Sequence, residues 1–243
     1  MSLGPPLPAK TDSVIVETRT LVLDSSNPIT PGKPKVYRAE TITITGRHKA
    51  PETDLWLIAE RIIASEASID VSGLDGTPSY TEADHAESGS SPGQAGRNAD
   101  ESARKPAGKG GDGGRITLVC RELSGNLNLV SNGGRGGNGL SGGNGAQGGT
   151  GPRGRDGGGD PGAAIGGVGL KGGRGGNGGT GGNGGNGGAI WIAIEDATGA
   201  NLTTTASGGL PGLGGKAGAR GPGGDGGPGG DWGEDWERPS VRL

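Results

Sequence analysis

Glycine recurs at every third residue along three long segments of this chain. The segments cover residues 133–157, 166–187 and 209–233, and the second keeps the phase of the first. Three residues per turn is the period of a polyproline-II helix, which places every such glycine on one edge. With 60 glycines among 243 residues, the chain would be typical of a disordered linker without this period. The constant phase therefore predicts an ordered, extended structure.

Collagen is the obvious alternative, because it shares the Gly-X-Y period. Two features argue against it: the second position of the triplet is very often glycine as well, and the runs are short and separated by apolar strand-like segments. A bundle of left-handed polyglycine-II helices fits better. Such helices have no internal hydrogen bonds, so their backbone groups must pair between helices.

The apolar segments that separate the glycine runs form an internal repeat. Residues 55–62, 116–123 and 190–197 resemble one another, and each is followed by a second short strand at 68–73, 128–133 or 203–208. Their alternation and β-branched content predict strands, with tight turns between the two strands at 124–126 and 198–201. One unit therefore reads strand, turn, strand and glycine-rich excursion.

These patterns predict an all-β or irregular fold with almost no α-helix. Stacked strand rungs would form a short β-solenoid-like repeat, and the Gly-X-Y excursions would form a polyglycine-II or polyproline-II helix bundle. We expect an N-terminal β cap or diverged first unit at 1–54, with strands at 14–23 and 40–46. Repeated units follow over 55–233, as 55–114, 115–188 and 189–233, and a tail covers 234–243.

Charge and hydropathy exclude several classes of protein. The net charge of −3 is dispersed over both signs, so no basic face for nucleic acid is expected. No apolar run reaches the length of a membrane span. The start, MSLGPPLPAK, lacks the apolar core of a signal peptide, which predicts a soluble chain made in the cytosol. A site of action outside the cell, for example on a virion, would then require lysis or a dedicated export route.

No cofactor or metal is expected. Residues 137–142 and 167–172 satisfy GxGxxG, but a dinucleotide site needs a strand before and a helix after this motif. The aspartates are too scattered for glycine-rich calcium repeats. Cys120, the single cysteine, excludes an intrachain disulfide. His48 and His85 are predicted in polar loops far from Cys120, so no nucleophile and base pair forms, and the protein is predicted not to be an enzyme.

Candidate binding residues lie where side chains interrupt the glycine runs, because glycine offers nothing to recognise. The candidates are Tyr80 and His85 in the first excursion, Asp160 and Ile165 in the second, and Trp232 and Trp236 near the end. The two tryptophans would form an aromatic platform for a sugar or a partner. The alternative is structural: the first two sites are simple turns, and the tryptophans of an acidic tail dock on the bundle.

Residues 74–114, 133–188 and 208–233 resemble polyglycine-II proteins such as the tail-fibre tip adhesins of T4-like phages, the glycine-rich N-terminal domain of Obg GTPases and springtail antifreeze proteins. This chain has no GTPase domain, cannot form the disulfides of the antifreeze proteins, and has strand units that the adhesins and antifreeze proteins lack. The adhesin resemblance implies a rigid bundle that displays turn loops to a surface polysaccharide or protein receptor. The alternative is a self-associating scaffold or filament subunit that assembles through the edges of its β-rungs.

Overall fold

The computed structural model describes residues 13–81, 95, 104–156 and 165–229. The chain divides into two units. Unit 1 comprises residues 1–79, 106–139 and 181–213, and unit 2 comprises residues 80–105, 140–180 and 214–243. The described residues contain no α-helix, and hence no helix long and apolar enough to cross a membrane.

Unit 1 is built around one six-stranded parallel sheet. Its strands follow the order β1-β2-β3-β6-β7, and β8 pairs with β6 beyond the end of β7. The eight strands of the chain are β1 (Val14–Leu23), β2 (Lys35–Lys49), β3 (Leu55–Asp70), β4 (Tyr80–Thr81), β5 (Arg104–Lys105), β6 (Ile116–Val130), β7 (Ile190–Asp196) and β8 (Ala200–Thr205). The all-β prediction is confirmed, including strands in both predicted N-terminal segments.

The register of the sheet reproduces the sequence repeat. Leu55 pairs with Ile116, and Ile116 pairs with Ile190. Equivalent residues thus stack as neighbours in successive strands, although 61 and 74 residues of chain separate them. Equivalent apolar positions then form continuous rows across the strands, and these rows build one hydrophobic core.

The predicted tight turn at 124–126 is wrong, because these residues lie inside β6. The chain turns a corner there without leaving the ladder. Gly125 takes φ 83°, and the neighbouring Glu66 takes φ 47° beside a register shift in β3. Strands on both sides hold β6 in place at this corner. The predicted turn after β7 is present, and the carboxylate of Asp196 accepts the N–H of Thr198 at 2.8 Å.

The hydrophobic core consists of aliphatic rows contributed by every long strand. Leu57 and Leu118 are paired neighbours and are fully buried, as are Ile62 and Leu123 in a further inward-facing row. The loop between β1 and β2 adds Ile29, which is also buried. Burying such side chains contributes about 1.5–3 kcal/mol each, so the sheet supplies the stability that the glycine-rich segments cannot.

Five glycine-rich segments of unit 1 hydrogen-bond to one another next to the sheet. Residues 131–139 are central, because they bond to segments 73–79, 106–115, 181–189 and 206–213. Gly133 donates its N–H to Ser207, and Gly134 donates to Gly111. Adjacent glycines thus face different neighbours. This explains why the second position of the triplet is glycine here as well as the first.

Candidate binding surface

Unit 2 contains three glycine-rich legs joined by a cyclic pattern of hydrogen bonds. We name them leg A (140–156), leg B (165–180) and leg C (214–229). N–H groups of leg A donate to carbonyls of leg C, those of leg B to leg A, and those of leg C to leg B, each at every third residue and at 2.7–3.0 Å. Each leg therefore bonds to both others through its backbone.

The inward positions of the legs leave no room for side chains. A Cβ atom on Gly145 of leg A would overlap the carbonyl group of Gly173 on leg B. The largest residue tolerated at a buried position of leg A is Ala146, which is 5% exposed. The triplet pattern is thus a packing requirement in these legs.

In legs A and B, side chains project from the third position of each triplet. On legs A and B these positions are exposed and mainly polar: Asn144, Gln147, Thr150, Arg153, Asp156, Val168, Lys171, Arg174, Asn177 and Thr180. Neighbouring third positions are separated by about 9 Å along an extended leg with a rise of about 3.1 Å per residue. Legs A and B therefore each present a regularly spaced row of side chains.

The described legs of unit 2 are predominantly cationic. They carry six basic side chains, at positions 153, 155, 171, 174, 216 and 220, and two acidic ones, Asp156 and Asp225. Arg153 forms an ion pair with Asp156 at 3.1 Å. Although the whole chain is slightly acidic, this part of it is suited to an anionic ligand.

Side-chain acceptors on leg A complete the bonding of leg C. Asn144 accepts the N–H of Ala219 at 2.9 Å, and Ser141 accepts that of Lys216 at 3.3 Å. The same spacing of 75 residues places Pro222 opposite Gln147, and proline has no N–H to satisfy. Sequence reasoning missed these acceptors. A constant spacing could have revealed them, because Ser141 and Asn144 each lie 75 residues before the residue whose N–H they accept.

The structure brings none of the six predicted binding residues together within the described chain. Tyr80 starts β4, which pairs antiparallel with β5. Ile165 begins leg B and is 91% exposed. His85, Asp160, Trp232 and Trp236 lie outside the described residues. The prediction for these residues therefore stays a prediction.

The prediction that His48 lies in a polar loop is wrong. It belongs to β2 and is only 1% exposed. Its Nδ1 accepts the N–H of Ile29 at 3.3 Å, and its Nε2 donates to the carbonyl of Thr45 at 3.2 Å. The ring thereby fastens the β1–β2 loop over the core, and both of its nitrogens are occupied by structural bonds.

Two further features bear on chemistry in the described part of the chain. Burial raises the pKa of the Cys120 thiol to about 11, so the nucleophilic thiolate is scarce at neutral pH. The described residues contain no group of three or more His, Cys, Asp and Glu side chains that could hold a metal ion.

No protein-family model matches this chain, and no curated protein matches it. Among solved structures, the chain is similar to the nine polyproline type II helical bundle springtail antifreeze protein from Granisotoma rainieri. The two share 29% sequence identity over 66% of this chain and 94% of the antifreeze protein, with a TM-score of 0.15. At that TM-score the likeness carries no argument about fold or function.

Proposed function

We propose that this protein is a non-enzymatic recognition module, in which a polyglycine-II bundle attached to a short β-solenoid displays side chains to a surface polysaccharide or a protein receptor. The observation that carries the proposal is the bonding of legs A, B and C. Their backbones bond to one another at every third residue, while the third positions of legs A and B project outward. A rigid backbone with outward side chains loses little entropy when it binds.

The charge of the three legs favours an acidic polysaccharide as the first ligand class to test. Lys171, Lys216 and Arg220 are exposed on two different legs. A polymer with regularly spaced carboxylates or sulfates would meet several of these cations at once. Individually weak exposed contacts gain from such multivalency. The predicted residues Asp160, Ile165, Trp232 and Trp236 would add specificity.

The test is binding of the purified chain to an array of neutral and acidic glycans. We expect specific binding to an acidic glycan that is lost when Lys171, Lys216 and Arg220 are changed to Gln. The matched control changes Lys33, Arg47 and Lys49 to Gln, which removes the same charge from exposed positions of unit 1, and it should bind normally.

Trp232→Ala with Trp236→Ala tests the aromatic platform in the same assay. Selectivity between acidic glycans should fall in this variant. The recognition proposal is wrong if no glycan or surface receptor binds, or if the leg variant and its control lose binding equally.

A second function, self-assembly into a scaffold or filament, is favoured by a separate observation. The sheet of unit 1 has no neighbouring strand, within the described chain, on the outer side of β1 or of β7 and β8. Unpaired parallel edges are templates for another strand. Sedimentation over a wide concentration range tests this function, and a strict monomer throughout would contradict it.

A further inference from the structure

In the sheet of unit 1, the apolar rows are buried at the central strands and partly exposed at the two edge strands, β1 and β7. One row runs Val16, Tyr37, Leu57, Leu118 and Ile192 across the strands. Its central members, Leu57 and Leu118, are fully buried, whereas Val16 and Ile192 are only partly buried although both pack against the core. The neighbouring row on the same face shows the same difference: Val14, at the edge, is 42% exposed, and Leu55, in the centre, is fully buried.

The two edge strands, β1 and β7, have complementary side chains. Val14, Ile15 and Val16 begin β1, and in the same rows Ile190, Trp191 and Ile192 begin β7. Apolar side chains would therefore stack on apolar side chains if β1 of one copy were placed beside β7 of another in the existing register.

The charged side chains of β1 and β7 are complementary as well, in a different row of the sheet. Arg19 pairs with Glu40 at 3.3 Å, and on the other side of Glu60 in the same row Arg121 lies 4.0 Å from Glu195. The row thus ends in a cation at β1 and an anion at β7. Continuing the sheet in register would place Glu195 of one copy beside Arg19 of the next, as already occurs between β6 and β7.

We propose that a second copy of this chain docks its β1 edge, in parallel and in register, against the β7 edge of the first. This inference rests on the self-assembly function proposed above and names its partner and its contact surface. Such a contact is head-to-tail, because different edges meet, and each added copy leaves one edge free at either end. A two-fold dimer would instead join identical edges and would not bring Glu195 of one copy beside Arg19 of the other.

Hydrogen-bond directions identify residues that can block each edge separately. Val14 donates its N–H to Pro34, toward β2, so alternation along the strand directs the N–H of Glu17 away from β2. Ile116 donates its N–H toward the following strand, so Ile190, its partner in register, directs its N–H outward from β7. Proline removes the N–H and is tolerated on edge strands.

The experiment uses the full chain with Glu17→Pro to block β1 and with Ile190→Pro to block β7. Glu17→Ala and Ile190→Val are the matched controls, since both retain the edge N–H. Circular dichroism establishes that every variant folds. Analytical ultracentrifugation and native mass spectrometry then report the size of each sample alone and of the two proline variants mixed.

We expect the wild type and both controls to form a concentration-dependent series of oligomers, and each proline variant alone to lose self-association. The mixture should form a 1:1 complex and nothing larger, because only one competent pair of edges remains. A monomeric wild type would overturn this inference together with the self-assembly function. If the wild type assembles and a proline variant alone assembles equally well, or the mixture forms no complex, only the inference about these edges is overturned.

Discussion

The carboxylate of Asp112 accepts the backbone N–H of Asn186 at 2.8 Å, although 74 residues separate the two in sequence. Asp112 also accepts a hydrogen bond from the ammonium group of Lys109 at 3.0 Å. Asp54 holds the N–H of Arg115, and Asp75 holds that of Arg135, in the same manner. Side-chain carboxylates thus accept hydrogen bonds from N–H groups that do not donate to a backbone carbonyl of a neighbouring segment.

This contact predicts a defined pH dependence of stability. Two contacts lower the pKa of Asp112 in the folded chain. The hydrogen bond from the N–H of Asn186 has the larger effect, and the contact with Lys109 has the smaller one. The ionised carboxylate therefore stabilises the fold above the unfolded pKa, near 4, and this contribution is lost as the pH falls through the lowered folded pKa.

Asp112→Asn tests the prediction, because it keeps an oxygen acceptor but cannot ionise. The difference in unfolding free energy between the wild type and the variant should be constant from pH 5 to 7 and should shrink below about pH 4. Urea titrations at each pH measure it. Glu60→Gln, which removes an exposed carboxylate of β3, is the control, and a difference for Asp112→Asn that does not change with pH would contradict the assignment.

Two glycines of unit 2 predict opposite effects of the same substitution. A Cβ at Gly145 would overlap the carbonyl group of Gly173, whereas the atom nearest to a Cβ at Gly223 is the carbonyl oxygen of Leu170 at 3.7 Å. Neither glycine has the positive φ that disfavours alanine. Gly145→Ala should therefore destabilise unit 2 by about 1–3 kcal/mol.

Gly223→Ala should be neutral or should stabilise the unit by about 0.4–1 kcal/mol through the lower entropy of the unfolded chain. Hydrogen exchange of backbone amides in legs A, B and C measures both effects. Equal destabilisation by the two substitutions would mean that leg C is packed on the side we find open.

The sheet could be predicted from the sequence because its rows repeat. Leu55, Ile116 and Ile190 begin equivalent apolar segments, and these three residues are partners in the register. The corner at Gly125 could not be predicted in the same way. A glycine at positive φ is typical of a turn, and only the strands on both sides of β6 keep the ladder intact there.

The candidate surface was less accessible to sequence reasoning. Interruptions such as Tyr80 and Ile165 stand out against glycine, so the sequence alone indicates them as candidates. The role of Asn144, in contrast, depends on which leg lies opposite it, and that is fixed by how three distant segments pack. A period of three predicts the orientation of each residue within its own leg, but it does not identify the neighbouring leg.

A buried hydroxyl in the sheet predicts a stabilising substitution. Thr117 lies beside Trp56 in the register, and these residues are 2% and 3% exposed. Among the residues that the structure describes, neither the Thr117 Oγ1 nor the Trp56 Nε1 has a hydrogen-bond partner. Thr117→Val keeps the β-branched shape and removes the unpaired hydroxyl, so it should raise the unfolding free energy by about 1 kcal/mol. Thr204→Val, at an exposed position of β8, is the control and should change stability little; a loss of stability in Thr117→Val would indicate a partner for the hydroxyl.

The thiol of Cys120 should report global unfolding. The side chain is 4% exposed within β6, and burial raises its pKa to about 11. Alkylation requires the thiolate, so at pH 8 the folded chain should react with iodoacetamide at least about a hundredfold more slowly than the unfolded chain, whose thiol has an ordinary pKa. Mass spectrometry of samples with and without urea measures the two rates.

Because Leu57→Ala leaves a cavity one strand away, it should accelerate labelling of the native protein by increasing the unfolded population. Labelling of folded wild type as fast as in urea would show that the core around Cys120 opens without global unfolding.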